Sequence, residues 1–245
     1  MLVAVGLAVF LGWQIYGHEL AAGATGGDFA VYRDAARQLL AGRNPYDFGT
    51  LLYPLPAAVV VVPLSEFDPV LGAALFAGLG VLALVYGLLR SFGWPGLMML
   101  ASPAFFLGYY YLQWSPYIVA GALIPWLGAI GAAKPNVAFA AFAYRPNRAP
   151  LIGGAALVAL SFALVPGWLG DWIGDVGRQT APHTASIGWP FGAVGLLGAL
   201  RWRTPQGRVL LAATLSPLNA QIYDHLAFWL VARNWRESLF LSMCG

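Results

Sequence analysis

The chain has 245 residues, of which 60% are hydrophobic and only 9% are charged. Soluble domains carry about 25% charged residues, so this composition excludes an ordinary soluble protein and indicates a helical membrane protein. The net charge of +3 comes without a basic tract, which argues against a nucleic-acid partner, and the single cysteine excludes an internal disulfide.

The first apolar run, residues 2–16, is short for a membrane core of roughly 30 Å unless flanking residues extend it. A signal peptide is the alternative, because Ala22-Gly23-Ala24 fits a signal-peptidase site. No Lys or Arg precedes the run, although a signal peptide normally has a basic segment there. We therefore expect an uncleaved first span.

A polar loop follows at residues 18–68, and it contains a predicted helix over residues 29–41. The apolar residues of this helix recur at three- and four-residue spacing, which places them on one face. Asp28 is predicted to be its N-cap, and Gly42 the left-handed residue that ends it. Because the opposite face is charged, we expect the helix to lie on the membrane surface.

The rest of the chain predicts repeated membrane crossings, so that residues 1–245 form a single all-α transmembrane bundle of about eight spans. An apolar run inside the first loop, residues 51–64, is too short to span and is predicted to be a re-entrant or surface helix. A hairpin is expected at residues 135–144, and a second polar loop at 167–186. After the first span, the predicted crossings are residues 70–89, 96–111, 115–132, 150–165, 187–200, 209–215 and a last one that begins at Asp224.

The positions of the basic residues predict which side each loop faces, since cytoplasmic loops collect Lys and Arg. In this arrangement nine of the thirteen basic residues fall on one side: Arg90, Lys134, Arg145, Arg148, Arg201, Arg203, Arg208, Arg233 and Arg236. Loops 18–68 and 167–186 fall on the other side, with every acidic residue except Glu237. We therefore expect both loops to be exoplasmic and Lys134 to mark a cytoplasmic turn.

The most distinctive stretch reads Asp28-Phe29-x-Val31-Tyr32-x-x-Ala35-Ala36-x-x-Leu39-Leu40-x-Gly42-x-Asn44-Pro45-Tyr46, followed by Tyr53-Pro54. In order and spacing it resembles the first extracytoplasmic loop of glycosyltransferase family 87, whose members are GT-C-type membrane enzymes. The resemblance implies a multi-pass protein of the inner (plasma) membrane with an exoplasmic active side. It also implies a polyprenyl-phosphate sugar donor, typically of mannose, and an exoplasmic lipid or glycan acceptor. Weaker similarities to the family lie at residues 112–115, at Lys134-Pro135-Asn136 and at residues 216–224.

A lipid-phosphate sugar donor requires a carboxylate to take the acceptor proton, a cation for the leaving phosphate and an apolar groove for the lipid. Asp28 is the candidate base by its position in the motif, a role compatible with capping, while Asp34 is expected to be a solvated partner of Arg37. The candidate donor and phosphate ligands are Arg33, Arg37, Arg178 and His183, and the candidate substrate contacts are Tyr32, Tyr46, Tyr53, Gln113 and Asp224. For Arg178 and His183, a headgroup-facing arginine and an ordinary loop histidine are the alternatives.

The three histidines have no close His or Cys neighbours, and Asp171 and Asp175 alone form a weak pair, so no metal site or other cofactor is predicted. A divalent ion stays an open alternative. Two further functions remain open: a shortened or non-catalytic relative that only binds a lipid phosphate, and a small membrane transporter. The scarcity of charged residues inside the predicted spans argues against the transporter. Trp168, Trp172 and Trp189 flank the second loop and are candidates to contact a sugar.

Overall fold

The computed structural model describes residues 1–23, 27–49, 51–178, 192–217 and 222–244. Within these ranges every regular element is an α-helix or a 3₁₀-helix, which confirms the all-α fold class. The first half contains α1 (Leu2–Ala22), α2 (Gly27–Leu40), a 3₁₀ turn (Pro45–Phe48), α3 (Pro56–Ser65), α4 (Pro69–Phe92), a 3₁₀ segment (Trp94–Ala101), α5 (Pro103–Tyr110) and α6 (Ser115–Leu123).

The second half continues the helical architecture, and three of its eight described elements begin at a proline. Proline suits the first helical turn because its φ angle is preset and it lacks the N–H that would stay unpaired there. These elements are a 3₁₀ segment (Pro125–Ala133), α7 (Pro135–Tyr144), α8 (Arg148–Leu164), α9 (Trp168–Arg178), a 3₁₀ segment (Gly192–Arg201), α10 (Pro205–Leu215), a 3₁₀ segment (Ile222–Val231) and α11 (Trp235–Cys244).

Helices α1 and α4 pack antiparallel along a seam of small residues. A Cβ atom added to Gly12 would lie 3.1 Å from the carbonyl oxygen of Ala74, and one added to Gly78 would lie 3.2 Å from that of Ala8. Small residues are what allow two helix backbones to approach this closely. The antiparallel packing places the C-terminus of α1 and the N-terminus of α4 at the same end of the bundle.

The bundle has two chemically different ends. At the arginine end, named for Arg90, Arg145 and Arg208, the Phe92 ring lies 6.4 Å from that of Tyr144. The Arg208 guanidinium donates there to the carbonyl oxygens of Ala143, at 2.9 Å, and Tyr144, at 3.1 Å. We call the opposite end, which carries Asp28 and Asp224, the carboxylate end.

The described residues contain one helix, α4, that is long and apolar enough to cross a membrane alone. Helices α8 and α9 meet the same criteria only as a pair, and they are bent by 97° at the break between them. The repeated crossing of a membrane, with about eight spans, stays a prediction.

Helix α2 agrees closely with the predicted helix over residues 29–41. On its apolar face Phe29, Tyr32, Ala35 and Ala36 are buried, whereas Leu40 near the C-terminus is exposed. Gly42 ends it with a φ of 68°, and the N–H groups of Gly42 and Arg43 donate to the carbonyl oxygens of Leu39 and Gln38, respectively. These bonds form a Schellman motif, so the predicted glycine stop is confirmed.

The predicted crossing over residues 115–132 is wrong, because the chain reverses direction at Ile124. Ile124 precedes a proline and is extended, with φ −124° and ψ 92°, as the proline ring favours. The two arms of the resulting hairpin touch through glycines: a Cβ added to Gly121 would lie 2.8 Å from the Cα of Gly128. The hairpin returns Lys134 to the carboxylate end, so Lys134 does not mark the opposite side from Asp28.

The predicted hairpin at residues 135–144 is also wrong, because α7 runs as one helix from the carboxylate end to the arginine end. The apolar run at residues 51–64 forms the short helix α3, which is not long enough to span. Of its two predicted forms, the surface helix is wrong, because Ala57, Ala58 and Val61 are buried against neighbouring helices, and the re-entrant form stays a prediction.

Candidate functional site

Asp28 lies in the first turn of α2 rather than at its N-cap, because the helix begins two residues earlier than predicted, at Gly27. Gly27 has a φ of 49°, a backbone conformation that glycine adopts without strain. The carboxylate of Asp28 still benefits from the partial positive charge of the helix N-terminus. Its hydrogen-bond donors, however, are side chains from two distant segments.

Tyr53 and Gln113 hold the carboxylate of Asp28. The Tyr53 hydroxyl donates to Asp28 Oδ2 at 3.1 Å, and the side-chain amide of Gln113 donates to the same oxygen. Burial, followed by the negative charge of Asp28, raises the pKa of the Tyr53 phenol well above its usual value. The phenol therefore stays protonated at neutral pH and acts as a donor to the carboxylate.

Lys134 lies beside this pair and is itself buried, with 8% of its surface exposed. Its ammonium group forms an ion pair with Asp224 Oδ1 and donates to Gln113 Oε1 at 3.2 Å. The same nitrogen lies 5.0 Å from the ring centroid of Tyr223 and 5.7 Å from that of Tyr53, distances at which a cation is attracted to an aromatic face.

These contacts join four side chains into one polar network in the order Asp28, Gln113, Lys134, Asp224. Gln113 is the link, because its amide nitrogen can only donate and its carbonyl oxygen can only accept. With the carboxylate on one side and the ammonium on the other, its orientation is determined. The glutamine keeps Asp28 and Lys134 close without letting them form a direct ion pair.

The network opens on a cavity of about 400 Å³, a size within the range of small-ligand sites. Asp28, Lys134 and Asp224 contribute its charged wall, and Tyr53, Trp172 and Tyr223 contribute aromatic surface. A half-buried carboxylate, a buried cation and aromatic rings therefore line the same cavity.

Helix α9 closes one side of the cavity. The Trp172 indole N–H donates to the carbonyl oxygen of Leu52 at 3.1 Å, and the Asn44 side chain donates to Asp171 at 2.9 Å. Residues 167–178, the described part of the predicted second loop, thus lie at the same end as the first loop. Of the three tryptophans predicted to contact a sugar, Trp172 lines the cavity, Trp168 is buried outside it and Trp189 lies outside the described residues.

Tyr32 and Tyr46 contact Tyr53 and do not line the cavity. The ring of Tyr32 packs edge-on against that of Tyr53, with centroids 4.7 Å apart, and also contacts Trp114. The Tyr46 hydroxyl donates to the backbone carbonyl of Tyr53 at 2.9 Å. Both residues help to fix the position of Tyr53, and their contact with a substrate stays a prediction.

The arginines predicted to bind the donor phosphate lie away from the cavity. At 100° per residue, Arg33 and Arg37 are rotated by about 140° and 180° from Asp28 around α2, which turns them to the opposite side of the helix. Arg33 accordingly contacts Asp34 at 3.6 Å, Arg37 lines a separate surface pocket, and Arg178 pairs with Asp175 on α9. His183 lies outside the described residues.

Lys134 is the residue that sequence reasoning misplaced. A straight helix over residues 115–132 would carry it to the far side of a membrane, whereas the hairpin at Ile124 returns it to Gln113. Pro125, at the midpoint of the predicted span and flanked by glycines at 121 and 128, was the available signal for this reversal.

Among the described residues, no group of three or more His, Cys, Asp and Glu side chains is arranged to hold a metal ion. None of the family models, curated proteins or solved structures compared with this chain matches it.

Proposed function

We propose that this chain is a polytopic membrane glycosyltransferase. It transfers a hexose, mannose by the family resemblance, from a polyprenyl-phosphate donor to an exoplasmic lipid or glycan acceptor. One observation carries the proposal: Asp28, which the resemblance marks as the base, shares a cavity with the ammonium group of Lys134. The two catalytic requirements, a proton acceptor and a cation for the leaving phosphate, are thereby met in one place.

Asp28 acts as the general base. Tyr53 and Gln113 both donate to Oδ2. These hydrogen bonds fix the orientation of the carboxylate, which a base needs in order to meet the hydroxyl it deprotonates. Asp28 is partly exposed and lines the cavity, where the acceptor hydroxyl binds.

Lys134 replaces the three arginines as the cation for the donor phosphate. In the reaction, the acceptor oxygen forms a bond to the anomeric carbon, the bond from that carbon to the phosphate oxygen breaks, and the proton passes to Asp28. The leaving phosphate keeps the bonding electron pair, and the ammonium group stabilises the charge that develops. A single displacement of this kind inverts the anomeric configuration.

The location of charge and apolar surface supports a membrane setting. With Lys134 moved to the carboxylate end, eight of the thirteen basic residues belong to the segments of the arginine end, and the other five are Arg33, Arg37, Arg43, Arg178 and Lys134. This bias supports a cytoplasmic arginine end and an exoplasmic cavity. Large apolar side chains on α1 and α8, such as Phe10, Trp13 and Ile152, are more than half exposed, as expected of helices that face lipid.

A membrane transporter is the second candidate function. The observation that favours it is the buried pair of Lys134 and Asp224, because ionisable pairs inside membrane proteins mark ion and substrate pathways. The sequence argument against a transporter relied on the scarcity of such charges, and this pair weakens it.

Transfer of radiolabelled mannose separates these functions. The purified full chain is incubated with polyprenyl-phosphate mannose and a membrane lipid extract, and labelled lipid or glycan products are separated from the donor. We expect labelled products that require the protein. Binding of the donor without any product would leave a lipid-phosphate-binding protein, and uptake of a solute into vesicles without transfer would leave a transporter.

A further inference from the structure

We infer that Asp224 competes with phosphate anions for the ammonium group of Lys134. It forms an ion pair with Lys134 in the empty cavity and thereby weakens the binding of phosphate anions. The inference rests on the proposed function for the class of its ligand, a lipid phosphate. The effect is greatest for the doubly charged phosphate monoester that sugar transfer leaves behind, so Asp224 favours release of that product.

The geometry of the ion pair supports this role. The side chain of Asp224 is 0% exposed and that of Lys134 is 10% exposed, yet both residues line the cavity. Asp224 Oδ1 contacts the ammonium group, whereas Oδ2 is buried and has no hydrogen-bond partner within the described parts of the chain. A buried carboxylate with only one of its oxygens satisfied is poorly stabilised, so this pair is open to exchange of the carboxylate for another anion.

The charges that line the cavity define the competition. Asp28 and Asp224 contribute two negative charges and Lys134 one positive charge, which leaves the empty cavity with a net charge of −1. A donor phosphodiester adds one negative charge, whereas a phosphate monoester adds nearly two above pH ~6. Because the cavity has two carboxylates and one ammonium group, it disfavours the binding of the monoester more than that of the diester.

The same charges connect the competition to the reaction. During transfer the acceptor proton moves to Asp28 while the diester becomes a monoester, so the total charge in the cavity does not change. When Asp28 then loses that proton to water, the monoester faces both carboxylates in their ionised form. The repulsion is then at its greatest, and the product leaves.

Calorimetric titration of the detergent-solubilised full chain tests the inference at about pH 8, where the monoester is fully ionised. The ligands are farnesyl phosphate, its monomethyl ester, inorganic phosphate and farnesol. Asp224→Asn keeps the shape of the side chain and removes its charge, and we expect it to bind farnesyl phosphate about tenfold more tightly or better than wild type. The methyl ester should gain less, and farnesol, which carries no phosphate, should not change.

The double variant Lys134→Met/Asp224→Leu is the matched control, because it removes both charges of the pair. It should bind farnesyl phosphate more weakly than wild type. An Asp224→Asn variant that keeps its fold but binds farnesyl phosphate no more tightly than wild type would overturn the inference. A gain in affinity that is confined to inorganic phosphate would also overturn the inference, because the site would then not recognise a lipid phosphate.

A comparison of the affinities of two ligands for the wild-type protein does not depend on whether any variant folds. We expect the methyl ester to bind at least as tightly as farnesyl phosphate, and a clear preference for the monoester would overturn the inference. Because none of these titrations involves a sugar, their outcome is separate from that of the transfer assay. Absence of transfer with the expected binding pattern would remove only the proposed function.

Discussion

The side-chain amide of Gln113 donates a hydrogen bond to the carboxylate of Asp28, 85 positions earlier in the chain. The other end of the same amide accepts from Lys134 at 3.2 Å. Gln113 is neutral and bonds to both side chains, and none of the ion pairs among the described residues joins Asp28 to Lys134. In the proposed transfer Asp28 accepts the proton, and the ammonium of Lys134, which pairs with Asp224 in the empty cavity, exchanges that partner for the donor phosphate.

Tyr53→Phe should slow transfer about ten- to a hundredfold. The substitution removes the hydroxyl that donates to Asp28 at 3.1 Å and keeps the ring that packs on Tyr32. A hydrogen bond to a charged group contributes roughly 1.5–3 kcal/mol, and about 1.4 kcal/mol corresponds to a factor of ten in rate. The measurement is the initial rate of mannose transfer by purified protein.

The matched control for Tyr53 is Tyr109→Phe. The Tyr109 hydroxyl donates to the backbone carbonyl of Leu11, in the contact between α5 and α1 and away from the cavity. Its loss should leave the transfer rate unchanged. Equal slowing of both variants would mean that the effect at Tyr53 is structural.

Tyr53 also predicts how stability depends on alkaline pH. Its pKa is raised by burial and by Asp28, whereas an unfolded tyrosine ionises near pH 10. The unfolded chain therefore holds fewer protons above about pH 10, and the free energy of unfolding falls with rising pH by up to about 1.4 kcal/mol per unit. Melting temperatures between about pH 9 and 11 should fall less steeply for Tyr53→Phe than for wild type. Parallel slopes would show that this phenol does not resist ionisation in the folded protein.

Lys134→Met should abolish transfer and also destabilise the fold. The substitution leaves the buried carboxylate of Asp224 without its counter-ion, a change that typically reduces stability by about 3–5 kcal/mol. Replacing both partners in Lys134→Met/Asp224→Leu should restore much of the melting temperature, because an apolar pair of similar volume is often as stable. Transfer should remain lost in the double variant, and a folded double variant with the wild-type rate would exclude Lys134 from the reaction.

Single cysteines test which side of the membrane each end faces. In a Cys244→Ser background, Ala41→Cys places an exposed thiol on the first loop, and Arg203→Cys places one at the arginine end. In intact cells an impermeant maleimide should label the first and spare the second, because the excess of arginines marks the cytoplasmic side. Labelling of position 203 alone would show that the arginine end faces the outside of the cell, which would contradict the proposed topology.

Much of the site followed from the sequence because its residues lie near local signals. Asp28 precedes a helix with a clear apolar period, and Tyr53, Gln113 and Asp224 belong to stretches that resemble a known family. The structure brings all four to one network or its cavity wall. Their chemical roles remain the proposal that the experiments described here address.

The errors have two physical sources. Arg33 lies in the same short segment as Asp28, but helical rotation turns its side chain away. Lys134 lies at the carboxylate end and not on the predicted opposite side, because an apolar run long enough to span folds back instead. The hairpin at Ile124 is a tertiary feature, stabilised by close glycine contacts between its arms, and hydrophobic length alone does not reveal it.

The most direct test of the proposed function is the rate of mannose transfer by Asp28→Asn. Asparagine retains the shape of the side chain and an oxygen that accepts from Tyr53 and Gln113, but it cannot take up a proton as a carboxylate does. Asp34→Asn is the matched control, since Asp34 is an exposed carboxylate on the same helix and contacts only Arg33 among the ion pairs of the described residues.

General-base catalysis typically contributes about 10² to 10⁴-fold in rate. We therefore predict that purified Asp28→Asn loses at least about a hundredfold in mannose transfer while its melting temperature stays near that of wild type, and that Asp34→Asn retains the wild-type rate. Transfer by Asp28→Asn at the wild-type rate, or an equal loss in both variants, would contradict the assignment of Asp28 as the catalytic base.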